Sequence, residues 1–339
     1  MTDKKIERAK NLINQSEKIV ITTHQSPDGD AIGSSMAMYH YLLAKGKDVT
    51  IVVPNEYPEF LHWMQGDETI IVYESQAVQA RKFIREADLI FSLDYNILSR
   101  TYVMESALTK AKAPFILIDH HQQPGDYPEV SFSDTSSCST AQLVYNFIDK
   151  MGDKNLINIP IAEGIYCGIM TDSGSFRFDN VKPETHRIVA DLIEKGLKHD
   201  KIHQLIYDTN SMDRLRLLGY ALSEKLIVKK DLHTAIITLT QKELERFNFQ
   251  PGDTEGIVNY ALSIKGVKFA IFGREGANKI KISFRSKGQF NVNKFARAHF
   301  NGGGHNNAAG GVLFDTMDVF MQKIDEVIKD HKEELLNNE

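Results

Sequence analysis

Residues 19–45 read IVITTHQSPDGDAIGSSMAMYHYLLAK. The first five, 19–23, are a short β-branched and apolar run of the kind that makes a buried strand. Over 31–45 a helix is expected, because Ile32, Met36, Tyr39 and Leu43 recur on one stripe and Gly46 marks its end. Strand, polar turn and helix in direct succession open a βαβ unit. The pattern continues: apolar runs at 49–53, 69–73, 88–93, 115–118 and 164–170 are read as strands, with helical stretches between several of them. Such alternation predicts an α/β domain on a mostly parallel sheet.

The texture changes further along. Residues 183–210 carry apolar side chains at helical spacing, among them Ile188, Leu192, Ile202 and Ile206, and Thr209-Asn210-Ser211 separates them from another helix over 212–224. Strands are expected at 233–239, 268–272 and 279–284, then a helix over 289–300, a glycine-rich loop and a closing helix over 319–329. The expected organisation is an α/β domain over 1–190, a helical linker over 191–224 and a smaller α+β domain over 225–339. A chain of 339 residues has room for both.

Composition excludes several classes. No run approaches the ~20 apolar residues of a membrane helix, and MTDKKIERAKNLINQSEK at the start is a charged amphipathic pattern without an apolar signal core. Cys138 and Cys167 are too few for a disulfide framework or a thiolate metal site and are read as buried structural thiols. A cytoplasmic protein without a membrane partner is expected. The net charge of −5 argues against long duplex DNA. It does not argue against short polyanions, since residues 265–300 hold nine basic residues against Glu275 alone.

The residues that follow the apolar runs carry the chemistry. The run at 19–23 ends at His24, that at 88–93 at Asp94, that at 115–118 at Asp119-His120-His121, and that at 164–170 at Asp172 after Thr171. Ligands of open parallel sheets bind outside the carboxyl ends of the strands. With Asp28 and Asp30 from the loop after His24, six oxygen or nitrogen donors then share one rim: His24, Asp28, Asp30, Asp94, His120 and Asp172. Each piece has an ordinary alternative. Asp28 and Asp30 are typical turn and helix-cap residues, Asp94 suits a cap, and TDSG at 171–174 suits a turn. The joint pattern favours metal binding. Imidazoles with carboxylates, and no thiolate, suit hard to borderline divalent ions such as Mn²⁺ better than a closed zinc site. Four carboxylates balance two such ions.

HQSPDGDAIGS (24–34), SLD (92–94), DHH (119–121) and TDSGSFRF (171–178) resemble, in order, the successive motifs of the DHH phosphoesterase superfamily. GGGHNNAAGG (302–311) resembles the glycine-rich signature of the DHH-associated C-terminal domain. The resemblance covers about residues 15–315, and the layout is similar to that of the NrnA-type nanoRNase/pAp phosphatases. It implies a DHH catalytic domain, a linker and a DHH-associated substrate-binding domain. It also implies that Asp94 bridges two metals, that His24 and Asp28 complete one site, and that Asp30, His120 and Asp172 complete the other. Asp119 would orient the histidines and His121 would face the substrate phosphate, so Asp94, Asp119, His120 and His121 form the implied catalytic group. Arg285, Ser286, Gly303, Gly304 and His305 are the implied substrate-binding residues. A guanidinium fork and glycine backbone N–H groups both suit a phosphate. Phe284, Phe290 and Phe295 are read as core rather than as a stacking platform.

The implied activity is that of a two-metal, Mn²⁺-dependent phosphoesterase, with Mg²⁺ or Co²⁺ as alternative ions. Its substrates would be short oligoribonucleotides, attacked as a nanoRNA exonuclease does, and adenosine 3′,5′-bisphosphate (pAp), as a 3′-phosphatase. Paired cations lower the pKa of bound water and clamp phosphoryl oxygens, so Ser26, Ser173 and the two cysteines need no catalytic role. An alternative within the same layout is a phosphodiesterase of cyclic or linear dinucleotides such as c-di-AMP or pApA. A non-catalytic nucleotide-binding module is a further alternative, against which the filled donor set argues. Long-strand DNA exonuclease and inorganic pyrophosphatase activities are disfavoured, and homodimerisation is left open.

Overall fold

The computed structural model describes residues 1–337. Those residues form two compact units, Met1–Thr209 and a second from Asn210 onward.

Six strands build the sheet of the first unit: β1 (Lys18–Thr22), β2 (Asp48–Val53), β3 (Ile71–Val72), β4 (Leu89–Leu93), β5 (Phe115–Asp119) and β6 (Val130–Ser133). All pair in parallel, in the order β3-β2-β1-β4-β5-β6. The central strands are apolar on both faces because helices cover both. Ile19 and Ile21 of β1 join Leu89 and Phe91 of β4 in one core, while Val20 and Ile90 point into the other. The helices Gly29–Ala44, Thr140–Lys150 and Ile159–Asp172 cover the first face, and Tyr73–Glu86 covers the second. The strand order reverses between β1 and β4, which opens a crevice at their carboxyl ends.

Two expectations for this unit need correction. β3 is shorter than the run at 69–73, because Tyr73 already begins a helix. Residues 164–170 are not a strand but lie inside the helix Ile159–Asp172. A short apolar run does not by itself separate a buried strand from a buried helix. Here Asn158 caps the helix by accepting from the Ile161 N–H, and Pro160 occupies its first turn.

The helix packs backbone to backbone against Gly29–Ala44. A Cβ on Gly33 would stand 2.5 Å from the Gly164 carbonyl oxygen, and one on Gly168 would stand 2.5 Å from an Asp30 carboxylate oxygen. Small residues at Gly33, Gly164 and Gly168 therefore set the spacing of the two helices. Asp172 consequently reaches the rim from a helix C-terminus.

The second unit carries a mixed sheet of β7 (Ile227–Lys229), β8 (Thr234–Leu239), β9 (Phe269–Glu275), β10 (Ile280–Ser286), β11 (Gly303–Gly304) and β12 (Ala308–Leu313). Its order is β11-β12-β10-β9-β8-β7, and of its pairings only β8 with β9 is parallel. The expected glycine-rich loop thus contains a two-residue strand. Phe269, Phe284, Phe290, Phe295, Phe300 and Phe320 fill one core of this unit. No helix of the described residues is long and apolar enough to cross a membrane.

The packing makes opposite demands on two helical glycines. Gly33→Ala is expected to lower stability by about 1–3 kcal/mol, since its methyl has nowhere to go. Gly219→Ala, where nothing lies within 4 Å of the new methyl, is expected to raise it by about 0.5–1 kcal/mol through helix propensity. Denaturant unfolding of the two variants checks both signs; a neutral Gly33→Ala would contradict the close approach.

Candidate metal centre

β1 ends where the chain must turn toward the helix Gly29–Ala44, and His24 sits at that turn. Its Nδ1 lies 2.9 Å from the Gln25 carbonyl oxygen. That acceptor holds the Nδ1 proton and turns Nε2 inward. Nε2 is 3.3 Å from Asp94 Oδ2 and 4.0 Å from Asp28 Oδ1. Asp28 also caps the helix: its Oδ1 accepts from the N–H groups of Asp30 and Ala31, each at 3.1 Å. The ordinary cap and the candidate ligand are the same side chain.

The end of β5 is built the same way. His120 Nδ1 is 3.3 Å from the Ser137 carbonyl oxygen. Its Nε2 is 3.5 Å from Asp94 Oδ1, 3.5 Å from Asp172 Oδ2 and 3.8 Å from Asp30 Oδ2. Asp94 stands between the two histidines, with one oxygen toward each. It follows β4 at φ +64°, a left-handed conformation that aspartate tolerates better than most residues. Asp119 Oδ1 is 2.7 Å from His121 Nδ1, and its Oδ2 accepts from the His121 N–H at 3.1 Å.

All six candidate ligands therefore gather on one rim. Single donor atoms of His24, Asp28 and Asp94 lie within 4.8 Å of one another, as do those of Asp30, His120 and Asp172, and those of Asp94, Asp119 and His121. Strand ends alone do not account for this. The N-terminus of the helix Thr140–Lys150 supplies the missing support: the N–H groups of Thr140 and Ala141 donate to the Asp30 carboxylate at 2.6 and 2.9 Å. Thr140 Oγ1 donates to Asp94 Oδ1 at 2.8 Å. Thr140 was not among the residues singled out from the sequence. Its signal was Ser139, whose side chain accepts from the Gln142 N–H and caps the helix.

Crowded carboxylates at low exposure titrate unevenly. Burial, then the charges of Asp94, Asp172 and Asp28, push Asp30 well above the usual carboxylate range. Burial and Asp94 together push Asp119 up to about 7. Burial opposes ionisation of Asp94 too, but the hydrogen bond from His24 and the charges of His121, His24 and His120 outweigh it and hold Asp94 low. The same balance raises His24 and His120: burial disfavours their charged rings, and the surrounding carboxylates overcome it. A set of imidazole nitrogens and carboxylate oxygens this dense suits divalent cations. Both cysteines are buried, and burial pushes the Cys138 thiol up to about 12.

In the second unit, four of the five expected substrate-binding residues line up around Ala308. Arg285 pairs with Ala308 across β10 and β12, Gly303 and Gly304 pair with Gly310 and Ala309, and the His305 N–H donates to the Ala308 carbonyl at 2.7 Å. Ser286 is buried beside them, its hydroxyl donating to the Phe290 carbonyl at 2.7 Å and accepting from Asn307 Nδ2 at 2.9 Å. Gly304 has φ +147°, and a Cβ there would stand 2.5 Å from the Ala308 carbonyl oxygen. Of the nine basic residues in this stretch, register places Lys281 and Arg285 on one face of β10, with Arg274 opposite Lys281.

Residues 18–169 match the DHH family, N-terminal domain, and residues 231–334 match the DHHA1 domain. The bifunctional oligoribonuclease and PAP phosphatase NrnA of Thermus thermophilus is 31% identical over 295 residues, 87% of this chain and 84% of that protein. The cyclic-di-AMP phosphodiesterase GdpP of Bacillus subtilis is 25% identical over 87% of this chain and 45% of its own length. A crystal structure of an exopolyphosphatase-related protein from Bacteroides fragilis superposes with a TM-score of 0.94 at 41% identity, covering 99% of this chain and 98% of that one. With both domains in order on one chain, and a relative above 30% identity across most of it, the protein belongs to the DHH–DHHA1 phosphoesterase family.

Proposed function

We propose that this protein is a two-cation phosphoesterase that hydrolyses short oligoribonucleotides and removes the 3′-phosphate of pAp. Asp94 carries the reading: one of its oxygens faces His24 and the other faces His120, as a carboxylate shared by two cations requires. His24, Asp28 and Asp94 would hold one ion; Asp30, His120, Asp172 and Asp94 would hold the other. The donor chemistry fits, since each ring presents Nε2 while a backbone carbonyl holds Nδ1. Mn²⁺ is the proposed ion, with Mg²⁺ or Co²⁺ as substitutes. When bound, the pair of cations supplies Lewis acidity toward phosphoryl oxygens and lowers the pKa of water.

The chain's own residues do the positioning. Thr140 and Ala141 fix the rotamer of Asp30, and the Thr140 hydroxyl fixes that of Asp94. Asp119 fixes the tautomer of His121, which we assign to a phosphate oxygen of the substrate. In the second unit, Arg285, Gly303, Gly304 and His305 would hold the nucleotide, with Ser286 bracing them from beneath through Phe290 and Asn307. Similarity to a protein named for oligoribonuclease and PAP phosphatase activity supports the substrate class. A cytoplasmic location accompanies it.

A second reading, hydrolysis of c-di-AMP or pApA, is favoured by similarity to GdpP over most of the chain. A side-by-side assay separates the two. With Mn²⁺, RNA dimers to pentamers and pAp are expected to turn over faster than c-di-AMP, and EDTA is expected to stop every reaction until Mn²⁺ is restored. Preference for c-di-AMP or pApA would establish the second reading. Turnover that survives chelation would contradict both, and no turnover at all would favour a binding module. Removal of the Thr140 hydroxyl gives an independent check. Thr140→Val should raise the Mn²⁺ concentration for half-maximal activity by ~10–100-fold, the usual effect of losing a ligand-orienting partner. An unchanged Mn²⁺ dependence would mean that Thr140 does not orient Asp94.

A further inference from the structure

The segment that follows Asp94 carries a cation to which nothing above assigns a task. Arg100 lies in the tight turn Leu98–Met104. Its carbonyl oxygen accepts from the Gln25 N–H at 2.8 Å, which pins it beside the loop that begins at His24. Its positive charge opposes the upward shifts of His24 and Asp119 without reversing either. Yet among the described residues Arg100 forms no ion pair and no side-chain hydrogen bond. A half-buried guanidinium this near a carboxylate cluster ordinarily closes on one of its members.

The backbone around it is held in an unusual conformation. Asp94 at φ +64° and Tyr102 at φ +50° bracket the segment with two left-handed, non-glycine conformations. Between them the Asn96 side-chain amide donates to the Gln122 and Gln123 carbonyls at 2.6 and 3.2 Å, tying the segment to the loop after His121. Such conformations persist only where the surroundings over-determine them, and they concentrate at functional sites.

We infer that Arg100 grips the phosphoryl group undergoing cleavage. The inference rests on the hydrolase reading proposed above. Arginine has no lone pair for a metal, so its place beside the donor cluster is not that of a ligand. Its planar fork matches two phosphate oxygens, and its backbone is tied to Gln25, the residue that follows the candidate ligand His24. A phosphate brought to the rim would complete the hydrogen bonds that the protein leaves open at this side chain.

The test compares Arg100→Gln and Arg100→Lys with the wild type, each loaded with Mn²⁺, on pAp and on an RNA dinucleotide, with inorganic phosphate titrated as a competitive inhibitor. Both substitutions keep the backbone acceptor for Gln25. Arg100→Gln should raise KM for both substrates by ~10–100-fold and weaken phosphate inhibition by a similar factor. Arg100→Lys should recover part of each. The Mn²⁺ concentration for half-saturation should stay the same or fall, because a positive charge has been removed. Unchanged KM and phosphate inhibition in Arg100→Gln would overturn the inference. So would a defect that excess Mn²⁺ restores, since Arg100 would then act through the metals. If the wild type hydrolyses nothing, the hydrolase reading fails instead; calorimetric binding of inorganic phosphate to Mn²⁺-loaded wild type and Arg100→Gln then decides for Arg100, equal affinities overturning it.

Discussion

Asp94 is 2% exposed, and each of its oxygens faces a different imidazole, Oδ2 toward His24 and Oδ1 toward His120. A carboxylate so buried costs several kcal/mol unless positive charge and donors surround it. Much of the first unit is arranged to meet that condition. β1 delivers His24, β5 delivers His120, and the helix Thr140–Lys150 delivers the Thr140 hydroxyl. The order of the strands makes this convergence geometric, since β1 and β4 are neighbours at the point where the strand order reverses. The unequal titration follows: Asp94 stays ionised while Asp30 and Asp119 are pushed up, so the cluster's negative charge falls first on the residue proposed to be shared.

The remaining carboxylates depend on helix packing rather than on the sheet. Asp30 begins the helix Gly29–Ala44 and is held by two N–H groups of a second helix, while Asp172 ends a third. These helices approach this closely because glycines at 33, 164 and 168 add no side chain of their own at the contact. Gly168 is the clearest case. A methyl there would strike both Ala141 and the Asp30 carboxylate, so its smallness serves the site as much as the core.

What the sequence revealed and what it concealed follow from the same physics. β1, β4 and β5 were legible because each is an apolar run ending in a residue with metal-ligand chemistry, and a parallel sheet places those ends on one rim. Over 164–170 the helix Ile159–Asp172 reads as a strand, since that stretch is uniformly apolar and buried and shows no 3.6-residue stripe. Asn158 and Pro160 before it, and Gly164 four residues ahead of Gly168, were the signals that distinguish it. β6 and the helix Thr140–Lys150 lie outside the expected elements as well, and with them the support for Asp30 and Asp94. Arg100 is invisible for a different reason: among the described residues it forms no ion pair, which only the folded chain displays. In the second unit the glycine run suggested a loop, whereas Gly304 is constrained by close approach of the Ala308 carbonyl within a strand pairing.

The central claim is that Asp94 is shared between two cations, and electron paramagnetic resonance of the Mn²⁺-saturated protein tests it most directly. Two ions bridged by one carboxylate give a spin-coupled spectrum at low temperature, and Asp94→Ala should abolish the coupling. A spectrum of uncoupled, mononuclear Mn²⁺ at full loading, or coupling that survives Asp94→Ala, would contradict it.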